Sequence, residues 1–208
     1  MLHYHTVEPI TLALLRELQA ISILESFSLV GGTALSLKYG HRISVDIDLF
    51  SEDDFDKDLV VEILIRKFGN RFIPEINHAK WAIFCYIDNI KVDIVSYKHK
   101  LIRPVHIEED IKMYSSEDII AMKFNAVLGR GRKKDFWDIC ELLKVYTLVE
   151  MLAFHHEKFP QQMLLISIPN ALTYFADADE SEDPISLKGQ TWESVKKVIS
   201  QKVSDYLK

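Results

Sequence analysis

An α+β fold is what the sequence predicts, on three observations. Runs rich in aromatic and β-branched residues at 72–76, 81–87 and 90–97 read as strands. Helical periodicity precedes them over residues 9–24 and dominates everything after Ser115. The composition shifts past Tyr97, which divides the chain into a sheet-bearing domain over residues 1–113 and a helical C-terminal domain over 114–208. At 208 residues, 48% of them hydrophobic, the chain can bury a substantial core.

Taken in order, Ile10, Leu12, Leu14, Leu15, Leu18 and Ile21 recur at helical spacing and mark an amphipathic scaffold helix. The apolar run 27–30 ends at Gly31-Gly32, where the backbone can take positive φ and approach a ligand with no Cβ in the way. Thr33 suits a helix N-cap. A helix over residues 34–39, stopped by Gly40, would aim its free N–H groups at an anion above the glycines, and a triphosphate is the obvious anion. Residues 44–50 then alternate as a strand, with Val45, Ile47 and Leu49 on one face and Asp46 and Asp48 on the other, roughly 6.5 Å apart. Two carboxylates at that spacing can share divalent cations, and hard oxygen donors select Mg²⁺ or Mn²⁺. Alone, an Asp-x-Asp is ordinary solvated surface; the glycine pair a helix length upstream is what makes it a candidate site.

Ser51-Glu52-Asp53-Asp54, ahead of Leu59, Val60, Ile63, Leu64 and Phe68, reads as the capped acidic first turn of a helix rather than as further metal ligands. Gly69-Asn70 ends that helix, and Asp88-Asn89 fits a two-residue hairpin turn between the last two strands. On the second of them Asp93 leaves the sheet opposite Val92 and Ile94, where it needs a partner: a metal or an ion pair. Residues 98–115 read as a linker around one short strand or turn. Ser115 or Ser116 then caps a helix that opens with Glu117 and Asp118 and carries Lys123. Its end is a basic run, Arg130, Arg132, Lys133 and Lys134, expected with Lys123 to face the anionic mouth of the cradle. Another helix opens at Asp135, and more follow near 148–157, 161–176 and 192–207, with an acidic loop over 177–184. His155-His156-Glu157 reads as surface or partner-facing, because adjacent helix positions diverge by about 100° and no third zinc ligand is evident.

A formal net charge of −6 argues against a general nucleic-acid coat or a membrane-surface protein and leaves room for a local basic patch. No apolar run approaches the length of a membrane span and the first residues lack a charged n-region, so a cytoplasmic protein without a membrane partner is expected. Cys85 and Cys140, in apolar surroundings, are expected as free buried thiols.

The run Gly31-Gly32-Thr33-Ala34-Leu35-Ser36-Leu37, with Gly40-His41-Arg42-Ile43-Ser44-Val45-Asp46-Ile47-Asp48-Leu49-Phe50, resembles the first motif of the abortive-infection AbiEii/AbiGii toxin family, nucleotidyltransferases of the DNA polymerase β-like superfamily. Lys91-Val92-Asp93-Ile94 is similar to that family's third-carboxylate strand. Asp118 through Lys123 is similar to its Asp-x-x-x-x-Lys motif, and residues 132–139 to its fourth motif. The resemblance implies a polymerase-β-like mixed sheet with flanking helices and a helical C-terminal domain closing over a nucleotide. It implies a toxin that moves a nucleoside monophosphate from a nucleoside triphosphate to an RNA acceptor, tRNA being a known type, or to a protein, and that is neutralised by a separate antitoxin chain. Carried onto this chain, Asp46, Asp48 and Asp93 would hold two Mg²⁺ ions, with Asp93 at the ion that activates the acceptor. Gly31, Gly32, Thr33, Arg42 and Ser44 would bind the nucleotide, Lys123 would neutralise triphosphate charge, and Asp135 would position Lys123 or touch the nucleotide. Two other classes compete: a catalytically silent nucleotide-binding regulator, and an interaction module built on the helical half, without nucleotide affinity.

Overall fold

A computed structural model describes residues 1–76 and 78–208. Its strands are β1 (Ser28–Leu29), β2 (Ile47–Ser51), β3 (Phe72–Pro74), β4 (Ala82–Ile87), β5 (Ile90–Ser96), β6 (His106–Glu108) and β7 (Ile111–Met113). They form one mixed sheet in the order β3-β4-β5-β2-β1-β7-β6. β2 runs parallel to β5 and β1 parallel to β7, and the other neighbours are antiparallel. The β4–β5 hairpin turns at Asp88 and Asn89 with φ of 53° and 65°, the left-handed pair that matches the twist of the flanking strands. Glu109 and Asp110, at φ 50° and 65°, turn β6 into β7 in the same way. A whole hairpin therefore replaces the single short strand or turn expected between residues 98 and 115, and it extends the sheet through β1.

The helices are α1 (Pro9–Gln19), α2 (Gly31–Tyr39), α3 (Lys57–Phe68), α4 (Ser116–Gly129), α5 (Lys133–Leu142), α6 (Leu148–Lys158), α7 (Ile168–Thr173), α8 (Ala176–Asp179) and α9 (Trp192–Tyr206). Four expectations need correction. Helix α2 starts at Gly31 with Val30 at its N-cap, so Thr33 is not the cap. Regular pairing in β2 starts only at Ile47, and Val45, in the irregular lead-in, is 56% exposed instead of joining Ile47 and Leu49. The cap of α3 is Asp56, which accepts the Leu59 N–H at 3.1 Å. The acids before it serve the loop, Asp54 pairing with Lys98 and Glu52 accepting the Leu101 N–H. Finally, no helix covers 161–167, because Ser167 caps a new start at α7 with Pro169 in its first turn. Ser115 caps α4 through the Asp118 N–H, and Gly40 ends α2 in the left-handed conformation, both as expected.

One apolar core runs from Leu14, Leu18 and Phe27 through Ile47, Val92 and Ile94 of the sheet to Phe124, Phe136 and Trp137 of the helices. Cys85 and Cys140 are free and buried. Trp192 stacks on Trp137 at 5.8 Å and docks α9 against α5. Between α8 and α9 a strap returns to the sheet-bearing half. Ile43 donates its N–H to the Ile185 carbonyl, Leu187 donates to the His41 carbonyl, and Arg42 bridges Ser186. No helix among the described residues is long and apolar enough to cross a membrane.

Candidate active site

The parallel pairing of β2 with β5 sets Asp48 directly beside Asp93, on one face of the sheet. Asp46 lies just ahead of β2. Thr33 fixes it there: the buried hydroxyl donates to the Asp46 carbonyl and sits 2.9 Å from the Ser44 hydroxyl. The side chain expected to cap a helix is thus a pin between α2 and the aspartate segment. Gly31, at φ +71°, packs so closely that an added Cβ would stand 2.6 Å from Asp48 Oδ2, and a Cβ on Gly32 would strike the Arg42 guanidinium. The glycines therefore let the start of α2 sit directly against the carboxylates.

A second layer comes from α4 and α5. Asp138, fully buried, accepts from His41 Nε2 at 2.8 Å, from Arg42 Nε and Nη2 at 2.7 and 2.9 Å, and lies 2.7 Å from Lys123 Nζ. Lys123 also donates to Asp135 at 2.9 Å, and Asp135 accepts the Arg132 N–H. Burial works against the Asp138 charge, but Arg42 and Lys123 outweigh it and hold its carboxyl well below the usual range. Burial likewise opposes the Lys123 charge, and Asp135 with Asp138 raises its pKa. Lys123 and Arg42 are thus spoken for by acids before any substrate arrives. Asp138 escaped the sequence reading; the available signal was an acid three residues after Asp135, within the apolar stretch Trp137 to Cys140.

These groups line a cavity of about 420 Å³ containing Gly31, Gly32, Asp46, Asp48, Asp93 and Lys123, with Arg42, Ser44 and Asp135 also on its wall. A second cavity of about 600 Å³ adjoins it. There Arg130, Arg132 and Lys134 face the acidic residues Asp177, Glu180, Glu182 and Asp183. Lys133 leaves the basic run to pair with Asp183 at 2.7 Å. Burial first, then the neighbouring charges of Asp93 and Asp46, pushes the Asp48 pKa up to about 6.

Among the described residues no three acidic, imidazole or thiol side chains converge as a ready metal site. Lys91 Nζ instead lies 2.7 Å from both oxygens of Asp93, and Lys134 Nζ lies 3.2 Å from Asp46 Oδ2. The donor chemistry nonetheless fits a hard cation: all-oxygen ligands, crowded enough to raise Asp48, with ammonium groups already attracted to them.

Two other expectations resolve outside the cavity. Asp118 is buried on α4, where it accepts the Ile102 and Arg103 N–H groups, the Ser115 hydroxyl and Lys158 Nζ, and so tethers the linker and α6. His155 is not at the surface, since α6 packs on α4 and buries it against Asn125 at 2.9 Å.

Neighbouring aspartates on parallel strands, faced by a glycine-led helix and a buried lysine, define the nucleotidyltransferase class. Solved structures with this fold include JHP933 from Helicobacter pylori, with a TM-score of 0.58 and 16% identity over 95% of this chain and 92% of that one. They also include MenT4, a nucleotidyltransferase toxin from Mycobacterium tuberculosis H37Rv, with a TM-score of 0.58 and 14% identity over 94% and 83%. An uncharacterized protein of Aquifex aeolicus (strain VF5), aq_aa25, is 30% identical over 93% of this chain and 94% of its own length. Residues 13–184 match the family model described as "Nucleotidyl transferase AbiEii toxin, Type IV TA system". The chain belongs to that family of nucleotidyltransferase toxins, which places it in a toxin–antitoxin pair.

Proposed function

We propose that the protein is a Mg²⁺- or Mn²⁺-dependent nucleotidyltransferase that moves a nucleoside monophosphate from a nucleoside triphosphate to a hydroxyl of an RNA, tRNA included, or of a protein, in the cytoplasm and under control of a separate antitoxin chain. One observation carries this reading: Asp46, Asp48 and Asp93 line one cavity with Gly31, Gly32 and Lys123. In the reaction, an acceptor oxygen bonds to the α-phosphorus, the bond from that phosphorus to the bridging oxygen breaks, and pyrophosphate leaves. Asp93, beside Asp48 on β5, takes the acceptor's proton. Free N–H groups at the start of α2 meet the phosphates. Arg130 and Arg132 at the rim face the charge that develops on the leaving group, and Lys123, still held by Asp135 and Asp138, adds its positive charge from the cavity wall. Two divalent cations held by Asp46, Asp48 and Asp93 would supply Lewis-acid stabilisation of the attacking and leaving oxygens. Lys91 and Lys134 must first release Asp93 and Asp46.

The test is incubation of the protein with labelled nucleoside triphosphates, Mg²⁺ and total RNA or lysate. A labelled acceptor is expected, and it should vanish with Asp46→Ala or Asp48→Ala; label that persists in both variants defeats the assignment. The grip of Lys91 on Asp93 favours one alternative, a nucleotide-binding regulator whose carboxylates are neutralised from within. Tight nucleotide binding by calorimetry with no turnover under any divalent metal would establish it.

A further inference from the structure

The cavity that holds Asp46, Asp48 and Asp93 has two unlike ends. Along α4 its wall passes from Ile119 and Met122, through Lys123 and Ala126, to Arg130, a run of about 16 Å along the helix axis. On β2, Asp48 and Phe50 are alternate residues of one face, and both line the cavity. The apolar ends of the two walls coincide. The Tyr97 ring lies 5.4 Å from that of Phe50 and 5.8 Å from the Lys158 ammonium, and Lys158 pairs at 2.7 Å with Asp118, the residue before Ile119. Arg132 and Lys134, just past the end of α4, and Arg42, ahead of Asp46, stand at the other end. Phe50 is half-buried, and a file of rings backs it: Tyr97 meets His99 at 4.8 Å, and His99 meets Phe159 at 4.8 Å. The buried Asp118–Lys158 pair, which the transfer does not use, pins that file between α4 and α6.

We infer that the apolar end is a nucleobase subsite, in which the base of the substrate lies against the Phe50 ring and the Met122 thioether. The inference rests on the proposed use of a nucleoside triphosphate in this cavity. Such a molecule is two-ended in the same way, with several negative charges at one end, a flat uncharged ring at the other and the reacting α-phosphorus between them. The carboxylates occupy the corresponding middle of the cavity. Phosphates turned towards Phe50, Ile119 and Met122 would be buried against side chains with no donor to offer. Turned the other way they meet Arg130, Arg132 and Lys134, and the base is left at Phe50. Stacking on an aromatic face is worth about 1–3 kcal/mol per base whatever its identity, and a thioether adds a favourable contact to a ring. Phe50 thereby becomes the residue that distinguishes a nucleotide from a bare polyphosphate.

Calorimetry on the full chain with Mg²⁺ tests this, using the α,β-methylene analogues of ATP, GTP, CTP and UTP beside inorganic tripolyphosphate. The tightest analogue should bind the parent more strongly than tripolyphosphate does. Phe50→Ala should lose about 5- to 150-fold of that affinity. Phe50→Leu, which keeps apolar volume without the ring, should also lose at least about fivefold. Phe50→Tyr should bind as the parent does, and tripolyphosphate should bind all four proteins equally. Unchanged analogue affinity in Phe50→Leu, or an equal loss for tripolyphosphate, overturns the subsite and leaves the transferase reading intact. So does a parent that binds tripolyphosphate as tightly as any analogue. A parent that binds nucleotide through Phe50 but labels no acceptor sinks the transferase reading and leaves the subsite standing; no affinity for any of these ligands sinks both.

Discussion

Asp138→Asn is the substitution whose consequences follow most directly from the geometry. Asp138 is fully buried and gathers His41, both arms of the Arg42 guanidinium and Lys123. Asparagine keeps the shape but removes the charge, so Arg42 loses its carboxylate partner inside the protein while Lys123 retains Asp135. Leaving one buried charge uncompensated costs about 3–5 kcal/mol. For a chain of this length each kcal/mol lowers the melting temperature by about 2–4 °C, so a drop of roughly 6–20 °C is expected in thermal unfolding followed by circular dichroism. A double-mutant cycle separates this from simple loss of packing. In the Asp138→Asn background, Arg42→Met should cost at least about 1 kcal/mol less than it does in the parent, because its carboxylate partner is already gone. Additive effects, or a loss under about 1 kcal/mol for Asp138→Asn alone, would refute the view that Asp138 sustains the cations behind the site.

Three further outcomes are expected. Burial, with His156 nearby, lowers the His155 pKa to about 4 from 6.5. Protons therefore favour the unfolded chain, and stability should fall as pH drops from 6.5 towards 4, by up to about 3 kcal/mol. His155→Phe should flatten that part of the profile in pH-dependent melts, and an unchanged slope would contradict it. Gly31→Ala places a methyl on Asp48 at a positive φ, so it should abolish label transfer and lower the melting temperature, whereas Gly69→Ala, also at positive φ but in open space, should leave transfer intact. Lys91→Met removes the ammonium that holds Asp93, so Mn²⁺ affinity measured by electron paramagnetic resonance should rise several-fold; equal or weaker binding would mean that Lys91 does not compete with a cation.

How much was legible in the sequence depended on how local the cause was. Gly40, Asp88-Asn89 and Ser115 announce their turns and caps through their own backbone preferences, and each does in the structure what its residue type dictates. The alternation that put Asp48 on the face opposite Leu49, and Asp93 opposite Val92 and Ile94, is equally local. Thr33 was misplaced because its partners, Ser44 and the Asp46 carbonyl, lie beyond the helix it was expected to cap. Strands β6 and β7, three residues each, are too short for a periodicity to show, and their place in the sheet is decided by β1. Asp138 and His155 look like any polar residue on an amphipathic helix. Asp138 is flagged only by its apolar neighbours and His155 by nothing local; the packing of α5 and α6 is what turns both inward.

The strap at residues 185–187 has a consequence for synthesis. It supplies backbone partners to His41 and Ile43 on either side of the guanidinium that Asp138 holds, so residues 41–43 wait on residues 185–187, far downstream of them. A contact spanning most of the sequence closes late, since the intervening chain has to be ordered first. A nascent chain still short of Leu187 already carries every aspartate of the cavity but lacks this brace. The backbone around Arg42 is therefore braced only once the chain has been made as far as Leu187, well after all of its cavity carboxylates.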